Sequence, residues 1–146
     1  MIEIRPYKQG DDEDIKNLIK DFHEEALKSD GFQLDVEKYY APWIALLKDS
    51  VFVAVKDNNV IGVLGGNIIR HHFSNELVFI EMMWYVRPEH RMCGIRLFKY
   101  VEEWCRIKGI KKMVMVYTHN IMTEKLNDFY KRMGFRPLET HMLKEL

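Results

Sequence analysis

Three apolar runs follow one another between residues 51 and 86: "VFVAVK", "VIGVLGGNIIR" and "LVFIEMMWYV". The first two are rich in β-branched residues and are separated only by the turn "DNN", so they read as the strands of a hairpin. Gly65 and Gly66 mark a bulge in the second strand. The third run is apolar on both faces, which suits a central strand and not an exposed edge.

The flanking sequence changes to a helical period. After the short strand "IEIRPY", the acidic start "GDDED" suits the positive end of a helix, and Ile15, Leu18, Ile19, Phe22, Ala26 and Leu27 then fall on one face. This helix is expected to stop near "KSDGF". Val36, Tyr39, Tyr40, Trp43, Ile44 and Leu47 repeat helically as well, with Pro42 predicting a kink or a second short helix. Further on, Leu97, Phe98, Val101, Trp104 and Cys105 define a helix stopped at Gly109, followed by the strand "KMVMVY". A last helix places Leu126, Phe129, Tyr130 and Met133 inward and stops at Gly134, and "FRPLETHML" reads as the final strand. The expected order is β, α, α, β, β, β, α, β, α, β in one domain over residues 1–146, of α/β (α+β) class.

Composition narrows the function classes. Lys plus Arg and Asp plus Glu both count 22, so there is no broad basic field to hold nucleic acid or anionic lipid. No run approaches the roughly 18–20 apolar residues of a membrane span, and Cys93 and Cys105 form neither a CxxC motif nor a disulfide framework. A soluble, cytoplasmic chain without nucleic-acid or membrane partners is the expectation. No metal site is expected, because no third ligand stands at a recognisable spacing from His71 and His72.

Two motifs suggest chemistry. The third strand ends in "YVRPEHRMCGIRLF", a charged turn leading into an amphipathic helix, and "FYKRMGF" lies near the C-terminus. With the strand between them, they resemble the GNAT family of acyl-CoA N-acetyltransferases, whose corresponding segments read V-x-P-E-x-R-x-x-G-x-G/A and F/L-Y-x-x-x-G-F. The resemblance covers nearly the whole chain. It implies a mixed, mainly antiparallel central sheet flanked by helices, and acetyl-CoA as co-substrate.

The loop fits the family pattern in two registers. Counted forward from Arg91, Gly94 is the first motif glycine and Arg96 stands where glycine or alanine is usual. Counted back from the helix, Gly94 is the last glycine and about two residues are missing from the loop. The second register keeps Leu97, Phe98, Val101, Trp104 and Cys105 in the family's buried phase and is preferred. In either register the resemblance assigns residues 91–96 (Arg91, Met92, Cys93, Gly94, Ile95 and Arg96) to the pyrophosphate of acetyl-CoA, through N–H groups at a helix start.

The remaining roles follow from the resemblance and from the reaction. A main-chain N–H among Trp84, Tyr85 and Val86 is expected to hold the oxyanion, and Tyr130 matches the family's tyrosine at the departing thiolate. Glu81, a carboxylate on a central strand, is the candidate base; a polar splay between strands or an arginine partner would equally explain it. Thr123 stands where the family often has asparagine, and its hydroxyl can cap the final helix. Cys93 reads as a small filler.

The acceptor, a small-molecule or protein amine, stays open, as does a homodimer. The expected function is N-acetyl transfer by direct attack in a ternary complex. The alternative is a GNAT-fold binding or interaction protein that has lost acetyl-CoA through its shortened loop.

Overall fold

A computed structural model of the chain describes residues 1–119 and 122–146. It divides into two compact units, Met1–Val116 and Tyr117–Leu146. The first holds strands β1 (Ile2–Pro6), β2 (Val51–Lys56), β3 (Asn59–Arg70), β4 (Leu77–Val86) and β5 (Lys112–Val114), in the spatial order β1-β2-β3-β4-β5. Every pairing is antiparallel except β4 with β5. Helices α1 (Asp12–Phe22), α2 (Val36–Leu47) and α3 (Cys93–Ile107) complete this unit. The second unit carries α4 (Thr123–Arg132).

Strand alternation divides the core of the first unit into two layers. Val51, Val53 and Val55 of β2 cluster with Val60 and Val63 of β3, Met83 and Tyr85 of β4, and the apolar stripes of α1 (Ile15, Leu18) and α2 (Val36, Tyr40, Ile44, Leu47). The intervening residue Phe52 packs edge-on against Trp104 of α3 at 5.0 Å, while Trp84 meets Phe98 at 5.9 Å. Each buried aliphatic or aromatic side chain in these layers contributes about 1.5–3 kcal/mol of transfer free energy.

The hairpin turn is tighter than the sequence suggests. Asp57 and Asn58 alone join β2 to β3, with φ of 50° and 63°, so both occupy the left-handed region that a two-residue I′ turn requires. The expected bulge falls at Gly65 and Gly66, but the extra residue is on the partner strand. Gly65 pairs with Met83 and Gly66 with Glu81, which leaves Met82 unpaired and exposed.

Two expectations at the helices and one at the C-terminus are resolved by packing and hydrogen bonding. The first helix continues beyond α1 through a π-wound turn, His23–Leu27, and a 3-10 turn, Lys28–Asp30, and stops at Gly31 with φ 82°. The break predicted at Pro42 is absent: α2 is one helix with Pro42 inside it. Its start is capped by Asp35, which accepts the Lys38 N–H at 3.1 Å, and its buried stripe on both sides of Pro42 offsets the lost backbone hydrogen bond. The final strand expected from "FRPLETHML" is also absent, since residues 135–146 carry no regular secondary structure. Pro137 lies within that stretch and removes a ladder donor.

Candidate active site

In Met1–Val116 the candidate residues gather where β4 leaves the sheet and α3 begins. The β4–β5 ladder ends at Ile80 and Val114. Immediately beyond it Glu81 is buried, and its Oε2 accepts the Val116 N–H at 3.0 Å. A backbone N–H just past the end of the pairing is compatible with both readings of Glu81, a polar splay between strands and a catalytic carboxylate.

The orientation of β4 beyond the bulge follows from one bond. The Arg87 N–H donates to Ile61 O at 2.9 Å, so Arg87 and Ile61 form a hydrogen-bonded pair that continues the antiparallel register. Alternation then directs the N–H groups of Trp84 and Val86 away from β3 and that of Tyr85 toward it. Trp84 and Val86 therefore remain candidate oxyanion donors, whereas the Tyr85 N–H is turned into the ladder.

The turn that follows is compact. Pro88–His90 forms a 3-10 turn, with the His90 N–H on Arg87 O at 2.9 Å and the Gly94 N–H on Arg91 O at 3.0 Å. α3 starts at Cys93, so Gly94 lies in the first helical turn, as in the preferred register, with Leu97, Phe98, Val101 and Cys105 buried. Gly94 packs on β4: a Cβ there would lie 3.5 Å from Val86 Cγ2 and 3.6 Å from the Trp84 indole, ordinary contact distances. The N–H groups of Met92, the N-cap, and Cys93, the first helical residue, stand at the N-terminus of α3, where a helix offers donors without intrahelical partners. The Met92 and Ile95 side chains are exposed.

The arginines of the loop are engaged elsewhere. Arg96 donates to Ile2 O of β1 at 3.1 Å. Arg91 donates to Glu25 Oε2 at 2.8 Å and lies 5.2 Å from the centre of the Tyr85 ring. The Tyr85 hydroxyl donates to Glu25 Oε1; burial, reinforced by that carboxylate, pushes its pKa far above the ordinary phenol value. Cys93 is buried, and desolvation raises its thiol pKa despite the nearby Arg96. Its side chain lacks the exposure a reactive thiol needs.

Glu25 and Asp21 of the first helix were not foreseen as neighbours of the loop. A signal was present: the acids stand four residues apart, and so do Arg87 and Arg91. The exposed loop histidines are stacked on one another, His71 on His72 at 5.1 Å, with no candidate residue among their ring partners.

In Tyr117–Leu146, Tyr130 is buried on α4. Its ring stacks on Tyr117 at 6.2 Å and tilts against Phe135 at 5.3 Å. Thr123 is not the cap of α4. Met122 holds that position with φ 50°, and the Thr123 hydroxyl donates to Thr118 O at 2.9 Å.

The acetyltransferase (GNAT) family pattern matches residues 13–135, and the chain belongs to this family. Solved structures share the fold. An acetyltransferase from Trypanosoma brucei superposes with a TM-score of 0.73 at 19% identity, covering 100% of both chains. A ribosomal-protein-alanine N-acetyltransferase from Brucella melitensis gives 0.76 at 15% identity over 99% of each chain. The aminoglycoside N-acetyltransferase AAC(6')-Iy, solved in complex with CoA, gives 0.73 at 19% identity, covering 100% of this chain and 95% of its own. No curated protein matches the chain in sequence. Among the described residues, no helix is long and apolar enough to cross a membrane.

Proposed function

We propose that residues 1–146 act as one acetyl-CoA-dependent N-acetyltransferase domain, moving an acetyl group to a primary amine by direct attack in a ternary complex. The observation that carries this reading is the junction of β4 and α3. There the Trp84 and Val86 N–H groups turn away from β3, and a short turn leads into a helix start that packs through Gly94 against the same strand. These are the kinds of donor that an acyl oxygen and a pyrophosphate require. The CoA complex of one fold neighbour, and the CoA bisubstrate analogue bound by a second crystal of the same enzyme, support the choice of donor.

Acetyl-CoA supplies an activated acyl group, so the protein's task is to bind, to orient and to manage protons. The N–H groups of Met92 and Cys93 would hold the pyrophosphate, and those of Trp84 and Val86 would meet the developing oxyanion. A lysine-like acceptor amine, with a pKa near 10.4, costs about 4.6 kcal/mol to deprotonate at pH 7. Glu81 is the proposed base: it is a carboxylate buried just past the end of the β4–β5 pairing, where its Oε2 is held by the Val116 N–H. Tyr130, matched to the family's tyrosine, is assigned to the departing thiolate, where a phenol hydroxyl donates a hydrogen bond as negative charge develops.

The competing reading, a GNAT-fold binding protein without acetyl-CoA, is favoured by the pairing of Arg91 with Glu25 and of Arg96 with Ile2 O, which leaves the loop poorer in phosphate ligands. Thermal unfolding with acetyl-CoA separates the two. A ligand at 100 times its dissociation constant adds about 2.7 kcal/mol to stability. A rise in Tm is expected, and no shift at millimolar acetyl-CoA would overturn the enzyme reading. A screen of small-molecule and protein amines by thiol release then identifies the acceptor.

A further inference from the structure

The ion pairs between the first helix and the turn before α3 have a regular arrangement. Asp21 of α1 stands 3.5 Å from Arg87, and Glu25, one turn later, stands 2.8 Å from Arg91. Arg87 and Arg91 flank the 3-10 turn Pro88–His90 on its two sides. Glu25 belongs to the π-wound segment His23–Leu27, a geometry often found where a helix serves a site. Both Glu25 oxygens are used, one by Arg91 and one by the Tyr85 hydroxyl. Tyr85 is in turn held edge-on by Phe22 at 5.9 Å, so the carboxylate rests on a buried side chain of the sheet.

We propose that Glu25 is a positioning residue for acetyl-CoA binding: it anchors the β4–α3 turn through Arg91, and Arg91 acts as that anchor instead of as a phosphate ligand. The proposal rests on the acetyl-CoA reading above. Its physical basis is that the Arg91 guanidinium is already matched by a carboxylate on one side and a tyrosine face on another. Drawing it toward a phosphate would leave the Glu25 charge facing Tyr85 without its cation. The Arg91 carbonyl accepts the Gly94 N–H, so holding Arg91 also holds the first turn of α3. Anchoring therefore orders the adjacent N–H groups before a ligand arrives, which removes part of the ordering cost of binding.

The test is calorimetric titration of acetyl-CoA into the wild-type chain, Glu25→Ala, Arg91→Ala and the double variant, each at low and at moderate salt. The expected result is a loss of about five- to tenfold in affinity for each single variant, with the double variant no weaker than the weaker single one, because both remove one coupled unit. The salt dependence should match wild type in all four proteins, since no phosphate contact is lost. Glu25→Gln, which keeps an acceptor for Tyr85, should fall between wild type and Glu25→Ala, and supplies the measurement if Glu25→Ala folds poorly.

Glu25 variants that bind as wild type, beside an Arg91→Ala that binds weakly with a flattened salt response, would make Arg91 a phosphate ligand and overturn the proposal. Additive losses in the double variant would also overturn it. If the wild-type chain does not bind acetyl-CoA, the functional reading fails first and the proposal falls with it.

Discussion

Gly66 offers the sharpest test of how the bulge shapes β4, because the space around it is closed by atoms that cannot yield. A Cβ at this position would lie 2.3 Å from Phe79 Cζ and 2.7 Å from Ile80 O. The Phe79 ring is fully buried, and the Ile80 carbonyl belongs to a strand paired on both sides. Overpacking in a core costs typically about 1–3 kcal/mol and occasionally more. A clash involving backbone as well as a buried ring belongs at the upper end, near ~3 kcal/mol. With a Tm change of about 4 °C per kcal/mol for a chain of this size, Gly66→Ala should melt about 12 °C below wild type. Gly94→Ala is the control. Its Cβ would meet nothing closer than 3.5 Å, and alanine is favoured over glycine in a helix by up to about 1 kcal/mol. Its Tm should equal or exceed that of wild type. Circular dichroism melts and urea unfolding read both variants, and a Gly66→Ala protein within about 3 °C of wild type would refute the steric argument.

On the role proposed for Tyr130, Tyr130→Phe should lower kcat by roughly ten- to a thousandfold with acetyl-CoA affinity within about threefold and Tm near wild type, since the ring is kept and only the hydroxyl assigned to the departing thiolate is lost; single-turnover acetylation exposes the defect where product release limits the rate. Burial raises the Cys105 pKa to about 11 and that of Cys93 in the same direction, so an aromatic disulfide reagent at pH 8 should label both thiols only on unfolding; rapid labelling of folded protein would contradict their burial. Burial opposes the charge of Asp11, but two hydrogen bonds from Arg5, at 2.8 Å each, and one from the Lys8 N–H outweigh it and hold its pKa below the usual carboxylate value. A depressed folded-state pKa contributes stability above the unfolded value near 3.9 that is lost as pH falls through the folded one. Asp11→Asn should therefore cost on the order of 2–3 kcal/mol at pH 7, with the deficit narrowing below about pH 4, and a deficit that stays constant with pH in urea unfolding would refute the assignment.

What the sequence discloses here divides by the range of the interaction. The strands β2, β3 and β4, the stripes of α1 and α3 and the glycine stop at Gly31 are written in local periodicity and turn chemistry, and all stand in the fold. Pro42 carries an equally clear local signal, yet α2 runs through it, because tertiary burial of Tyr40, Ile44 and Leu47 outweighs one lost backbone bond. The glycine pair locates the bulge but not the strand that carries the extra residue, since the register depends on both partners. At the site the same division decides which residues a motif can identify. Gly94 was legible because its helical phase is local. Arg91 and Arg96 were not, because their partners Glu25 and Ile2 lie 66 and 94 residues away. An arginine at a phosphate-binding motif position is available to phosphate only if the fold leaves it without a nearer acceptor, and in this chain the first helix and the first strand both supply one. Backbone N–H groups at a helix start are less easily diverted, which is why the acetyl-CoA binding proposed for this chain is assigned to them and not to the charges beside them.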